Sequence, residues 1–135
     1  MKVLATGVFD IFHIGHLHFL HEAKKLGDEL VVLVSCDDVC TTEKRQPINC
    51  QEDRLAIVKA LKPVDAALVG KSGDKYQAIV DISPDILALG YDQKFNAEEL
   101  EEELRKRGLS CKVVQLTSCA DRSTTRIICK ILDGK

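Results

Sequence analysis

The sequence predicts a single α/β domain, spanning residues 1–135, built on a five-stranded parallel, doubly wound sheet. Short aliphatic runs alternate with longer amphipathic segments, five of each, and no linker or repeat interrupts them. The run at 29–35 (ELVVLVS) is apolar almost throughout, which is typical of a strand buried on both faces of a parallel sheet. The chain has 135 residues, enough for one such domain and too few for two. Alternating strands and helices with right-handed crossovers produce a doubly wound sheet.

Each predicted strand is a short aliphatic run that stops at a turn signal. The first stops just before Gly7, and the third and fourth stop at Gly70 and Gly90. Glycine in these positions is typical of the sharp turn that leaves a strand. The strands are placed at residues 2–6, 29–35, 66–69, 86–89 and 111–116.

The predicted helices carry apolar residues three to four positions apart, as Leu55, Val58 and Leu61 do in the second one. The fourth helix has Asn96 as its cap and ends at Gly108. Its three consecutive glutamates precede three basic residues by four positions, which predicts a solvent-exposed face with salt bridges. The helices are placed at residues 16–26, 51–61, from about 74 onward, 96–107 and 123–132.

Composition excludes several functional classes. Apolar residues make up 45% and charged residues 30%, and the net charge is −2, which argues against a nucleic-acid surface. No apolar run approaches the roughly 20 residues that a membrane helix needs, and the first residues turn polar too soon for a signal peptide. We therefore expect a cytoplasmic protein that binds neither membrane nor nucleic acid, with its six cysteines as thiols.

The turn after the first strand carries the most unusual chemistry. Ligands of doubly wound sheets bind beyond the carboxyl ends of the strands, so the strand-to-helix turns are the segments to search. In this turn His13 and His16 flank Gly15 at a predicted helix N-terminus, where free amides favour anions. Imidazole donors there can stabilise the charge that develops on a phosphate. Taken alone, the pair also fits surface histidines or metal ligands.

The whole string of this turn is more specific than the histidine pair. Residues 7–16 read G-x-F-D-x-x-H-x-G-H, which resembles the signature of the HIGH-type nucleotidyltransferase superfamily. The resemblance implies a Rossmann-like fold and transfer of a nucleotidyl group from a nucleoside triphosphate to a phosphate, with release of pyrophosphate. It implies His13 and His16 as the catalytic residues.

The same resemblance implies a nucleotide site built from several turns. After the last strand comes a cluster of hydroxyl side chains. Such residues are favoured at a helix N-terminus because they cap free amides, and the superfamily uses this cluster to bind phosphates. Relatives that use CTP usually precede this cluster with R-T-x-G-I, and here the stretch at 118–122 reads S-C-A-D-R. The implied nucleotide-binding residues are Val8, Phe9, Asp10, His13, Ile14, Gly15, His16, Gly90, Asp92, Ser123 and Thr124.

Other stretches are similar to one group within the superfamily, the archaeal FAD synthases. These are L-G-Y-D-Q at 89–93, L-G-D-E-L at 26–30, A-L-K-P-V-D at 60–65 and K-R-G-L at 106–109. The similarity implies ATP and FMN as substrates, a divalent ion such as Mg²⁺ whose ligands are not identified, and a homodimer. Two alternatives remain open, namely a CTP-dependent transferase acting on glycerol 3-phosphate and a non-catalytic nucleotide-binding regulatory domain.

Two basic residues are the candidates for binding the acceptor phosphate. Related transferases use a lysine in the second turn and an arginine in an E-x-R position, which correspond here to Lys44 and Arg54. The arginine fork matches a phosphate through two hydrogen bonds. On the residues alone, the alternative is a solvated basic loop, which we favour for the neighbouring Arg45.

Overall fold

Five parallel strands form one sheet in the computed structural model, which describes residues 1–10, 12–37, 48–70, 75–90, 97–116 and 124–133. The spatial order of the strands is β3-β2-β1-β4-β5. The strands are β1 (Lys2–Gly7), β2 (Glu29–Val34), β3 (Ala66–Val69), β4 (Ile86–Leu89) and β5 (Lys112–Gln115).

Helices follow the strands in alternation, as predicted. They are α1 (Ile14–Lys24), α2 (Gln51–Lys59), α3 (Lys75–Ile82), α4 (Ala97–Lys106) and α5 (Thr124–Asp133). All five strands and five helices of the sequence-based prediction are confirmed, most with bounds shifted by one or two residues. None of the helices in the described ranges is long and apolar enough to cross a membrane.

The sheet has a hydrophobic core on each face, which explains why β2 is apolar along its length. Val32 and Val34 lie in the core that α1 and α2 cover, whereas Val31 and Leu33 lie in the opposite core under α3 and α4. Parallel pairing of β1 with β2 sets Lys2 opposite Glu29 and keeps the two cores in register.

The charged face of α4 is confirmed for two of its three predicted pairs. Lys106 lies 3.8 Å from Glu102, and Arg107 lies 3.3 Å from Glu103. Glu101 differs, because its carboxylate accepts a hydrogen bond of 2.8 Å from the backbone amide of Val113 in β5. This glutamate ties α4 to the edge strand, a long-range role that helical spacing does not reveal.

The strand order fixes where a ligand can bind. The chain leaves β1 toward β2 on one side, and β4 later pairs with β1 on the other side. The carboxyl ends of β1 and β4 therefore flank the point at which the strand order reverses, and a crevice opens there in doubly wound sheets. The turn that begins after Gly7 and the turn that begins at Gly90 both lie at this point.

Candidate active site

The two histidines of the first turn form the N-terminal cap of α1. His13 is the N-cap residue, with extended backbone at φ −140° and ψ 179°. Its Nδ1 accepts a hydrogen bond of 3.0 Å from the amide of Gly15, and its own amide donates over 3.3 Å to Nδ1 of His16. The rings stack with centroids 3.9 Å apart. Two imidazoles thus make the reciprocal capping box that Ser or Thr and Glu or Gln usually make.

This cap explains why α1 begins two residues before its predicted start at His16. Histidine is not among the preferred N-cap residues, so sequence rules place the helix start later. The imidazole nitrogen of His13 replaces the hydroxyl or carboxylate oxygen that normally accepts the amide hydrogen bond. Each ring is therefore held on its Nδ1 side by one backbone amide of the helix start.

The hydrogen bonds also fix the protonation of the pair. A ring nitrogen that accepts from an amide carries no proton, so each neutral ring carries its proton on Nε2. The pKa of His16 is lowered from 6.5 to about 3, chiefly by burial and next by repulsion from His13, while Asp10 opposes the shift. At neutral pH His16 is a neutral hydrogen-bond donor, suited to hold an anion at the helix N-terminus without transferring a proton.

An aromatic cluster supports His16 from the side of the core. Phe9 meets its ring edge-on with centroids 5.5 Å apart, and Phe12 lies against it at 5.1 Å. Phe9 is buried and has a φ of 56°, a left-handed conformation that costs an aromatic residue about 1–3 kcal/mol. A Cβ on Gly7 would come within 2.9 Å of the Phe9 ring, so this turn requires glycine there. The contribution of Phe12 was not foreseen from the sequence.

Asp10 holds the turn against a distant part of the chain. Its side chain is 4% exposed, and its two carboxylate oxygens accept from the amides of Ile48 (2.7 Å) and Asn49 (3.0 Å). The sequence placed Asp10 in the nucleotide site through the family motif. The observed bonds assign its carboxylate to joining two loops.

Arg54 is fully buried in the first half of α2. Its guanidinium donates to the carbonyls of Val8 (2.8 Å), Ser35 (2.8 Å) and Asn49 (3.0 Å), and to the carboxylate of Asp37 (2.6 Å). Four of its five N–H groups are thus bound within the protein. The geometry does not support the predicted bidentate contact with an acceptor phosphate, because those donors would first have to leave their partners.

The other predicted site residues are placed as follows. Ile14 and Gly15 open α1 beside the histidines, with Ile14 52% exposed, and Gly90 follows β4 across the crevice. Thr124 begins α5, although its side chain lies outside the description. Lys44, Asp92 and Ser123 lie outside the described residues. The structure therefore brings together the part of the predicted site that belongs to the first turn.

Metal-ligating side chains do not cluster in the described ranges. No group of three or more His, Cys, Asp or Glu among those residues is arranged to hold an ion. Asp10 is the acidic residue of the histidine turn, and its carboxylate oxygens already accept the two amides noted above. The described residues of the first turn offer hydrogen-bond donors for an anion and no cage for a cation.

Comparison with known proteins agrees with the fold. A family model described as cytidylyltransferase-like matches residues 4–130. With the sheet and the histidine pair, this match identifies the protein as a nucleotidyltransferase. An FAD synthase from Aciduliprofundum boonei is 51% identical, and one from Archaeoglobus profundus is 50% identical; the alignments cover 98% of this chain and 91% and 87% of those proteins. The chain belongs to the cytidylyltransferase-like family, in the group that includes these FAD synthases.

A solved structure extends the comparison to three dimensions. The crystal structure of the lipopolysaccharide core biosynthesis protein from Thermoplasma volcanium superimposes with a TM-score of 0.86 at 46% identity. The match covers 87% of this chain and 97% of that one. The five-stranded parallel architecture is therefore shared with an experimentally determined member of the same fold.

Proposed function

We propose that the protein is an FAD synthase, which transfers the AMP group of ATP to the phosphate of FMN and releases pyrophosphate. The observation that carries the proposal is identity of 51% and 50%, over nearly the whole chain, to two proteins named FAD synthase. The donor arrangement at the N-terminus of α1 supports it, because adenylyl transfer needs stabilisation of phosphate charge.

The proposed nucleotide site lies across the carboxyl ends of β1 and β4. The α-phosphate of ATP is placed at the N-terminus of α1, where the Nε2–H groups of His13 and His16 donate to its oxygens. Backbone of Val8 and Phe9 lines the nucleotide, and Asp92 contacts the ribose or the base. Ser123 and Thr124 hold the departing pyrophosphate. The superfamily resemblance supplies these last three assignments.

The chemical step forms one bond and breaks one. An oxygen of the FMN phosphate attacks the α-phosphorus, and the bond from that phosphorus to the bridging oxygen of the β-phosphate breaks. The electron pair of that bond leaves with pyrophosphate. The attacking phosphate has a second pKa near 6, so it is already ionised at neutral pH. Neutral histidines are consistent with this step, because it requires positioning and charge stabilisation but no general base.

A divalent ion such as Mg²⁺ is proposed to enter with the triphosphate. Among the described residues no group of side chains is arranged to hold it, and when bound with the triphosphate it would neutralise charge on the phosphates. Lys44 is proposed to bind the acceptor phosphate. Cytoplasmic location and a homodimer remain part of the proposal, since both follow from the resemblance and the composition alone.

The test measures pyrophosphate release by the purified protein with Mg²⁺, crossing ATP and CTP with FMN and glycerol 3-phosphate. We expect release only with ATP and FMN, together with FAD detected by chromatography. Release with CTP and glycerol 3-phosphate would instead support the second candidate, which the cytidylyltransferase-like family description favours. Nucleotide binding without turnover in all four mixtures would contradict the proposal and favour a regulatory domain.

A further inference from the structure

We infer that Arg54 is a positioning residue of the nucleotide site, acting through Phe9 and His16 rather than by touching a phosphate. The inference deepens the proposed function and rests on it. A buried guanidinium is retained only where its donors find partners, and Arg54 is fully buried with acceptors on four sides. What matters for function is which parts of the chain those acceptors belong to.

The acceptors of Arg54 lie at the carboxyl ends of two neighbouring strands. Val8 follows the end of β1 and Ser35 follows the end of β2, and Nη1 of Arg54 donates 2.8 Å bonds to both carbonyls. Strand pairing itself ends here with the bond from the Ser35 amide to the carbonyl of Gly7. Arg54 therefore continues the link between the two strands into the turns beyond them.

The remaining acceptors bracket the segment that contains Lys44. Asp37 precedes residues 38–47 and Asn49 follows them, and Arg54 bonds both. Asn49 is held twice, because its amide donates to Asp10 while its carbonyl accepts from Arg54. Arg54 and Asp10 thus anchor both ends of this segment to the histidine turn.

Phe9 is the residue of this turn whose backbone conformation depends most on the hydrogen bonds of Arg54 and Asp10. Its neighbours on both sides are fixed, Val8 through its carbonyl to Arg54 and Asp10 through its carboxylate to 48–49. A left-handed backbone persists at an aromatic residue only where the surroundings impose it, and these bonds impose it on Phe9. The Phe9 ring in turn packs edge-on against His16. Loss of Arg54 therefore releases Phe9 and, with it, the ring of His16.

The two possible roles of Arg54, positioning the histidine turn and binding the FMN phosphate, predict different ATP affinities when Arg54 is replaced. If Arg54 held the FMN phosphate, its replacement would weaken FMN binding and leave ATP affinity unchanged. If Arg54 positions the histidine turn, its replacement weakens nucleotide binding even when no FMN is present. Affinity for a non-reactive ATP analogue therefore separates the two roles.

The experiment compares Arg54→Lys and Asp37→Asn with Val58→Ala as the matched control. Lysine keeps the charge but cannot reach four acceptors, and Asp37→Asn removes only the ionic partner, whose side chain is 40% exposed. Val58 lies fully buried on the same helix, so its truncation lowers stability without touching the anchor. Calorimetry measures binding of α,β-methylene-ATP below the melting temperature of every variant. Two-bond ¹⁵N–¹H spectra report the tautomer of His16.

We expect Arg54→Lys to weaken binding of the analogue about tenfold. The same variant should lower kcat by up to about 10²-fold, the loss typical of a 1 Å misplacement. Asp37→Asn should change both quantities in the same direction by a smaller factor. Both variants should perturb the His16 Nε2–H pattern, whereas Val58→Ala should lower only the melting temperature. Analogue affinity and His16 spectra equal to wild type in Arg54→Lys would overturn the inference. Failure of the wild-type protein to make FAD would instead count against the proposed function, because analogue binding is read without FMN.

Discussion

At both ends of the sheet an aspartate carboxylate accepts hydrogen bonds from backbone amides, but the two carboxylates differ greatly in burial. At the amino ends of the strands, Asp65 accepts from the amide of Leu30 and pairs with Lys24, with the aspartate side chain 44% exposed. At the carboxyl ends, Asp10 accepts two amides at 4% exposure beside the fully buried Arg54. Both ends fasten backbone with carboxylates, but only the carboxyl end does so away from water.

The difference in burial determines how much each of these hydrogen bonds and ion pairs contributes to stability. Water can replace a lost partner at an exposed site, so single interactions there contribute little to stability. A buried charge or polar group that loses its partner has no substitute, and the cost is correspondingly large. The carboxyl ends therefore hold buried interactions whose loss is costly, whereas the ion pair between Asp65 and Lys24 at the amino ends is exposed and replaceable by water.

The largest expected effect comes from removing the buried charge. Arg54→Met leaves three carbonyls without their buried donor, and we expect the free energy of unfolding to fall by about 3–5 kcal/mol, since each unsatisfied buried group costs about 1–3 kcal/mol. Urea denaturation monitored by circular dichroism measures this loss. Lys24→Met, at the amino ends, should cost at most about 1 kcal/mol. Equal losses in the two variants would remove the contrast between the ends.

The histidines should affect activity more than any residue of the opposite end. His16→Ala removes the donor proposed for the α-phosphate, and we expect kcat with ATP and FMN to fall about 10²–10³-fold, as for loss of one oxyanion donor. His13→Ala should do the same and also lose the cap, worth about 1 kcal/mol of stability. His21→Ala, on the exposed side of the same helix, is the control and should retain full activity. Retained turnover in His16→Ala would contradict the assigned role.

Acid should destabilise the two ends in different pH windows. The pKa of His16 is lowered to about 3 in the folded protein, so its contribution to stability is complete above the unfolded pKa of 6.5 and is lost as the pH falls toward 3. The slope is at most about 1.4 kcal/mol per pH unit. The pKa of Asp65 is lowered from 3.8 by Lys24 and the Leu30 amide, so its contribution is lost only below about pH 4.

The measurement is denaturant unfolding between pH 7 and pH 4. His16→Gln is the informative variant, because glutamine at this position keeps an acceptor for the His13 amide but does not titrate. We expect the variant to lose much of the slope between pH 6 and pH 4. An unchanged slope would mean that another group causes the acid sensitivity.

The smallest effect should come from Asp65→Asn. The asparagine keeps an acceptor for Leu30 and loses only an exposed ion pair, so the expected cost is below about 1 kcal/mol with unchanged kcat. Thermal melting and the FAD assay measure the two quantities. A marked drop in activity would show that the amino ends influence the site, against the comparison drawn above.

The sequence predicted the fold better than the inner structure of the site. Strands and helices follow from local patterns of aliphatic and charged residues, so all ten elements were placed. Arg54 was assigned to a phosphate because the superfamily resemblance places a phosphate-binding arginine at this position, and nothing near it in sequence reveals partners such as Val8, 46 residues away. The left-handed backbone of Phe9 depends on the same long-range bonds. Burial of polar groups against distant backbone is the information that a single sequence does not carry locally.

The capping role of His13 predicts which residue would replace it in a descendant of this protein that had lost the activity. One ring starts the helix through Nδ1, and in the proposed function it also presents a donor through Nε2. In a descendant that no longer needed the reaction, only the helix start would remain under selection, and Ser, Asp or Asn would serve it better. Such a replacement at position 13 would indicate a relative that has kept the fold and lost the catalytic activity.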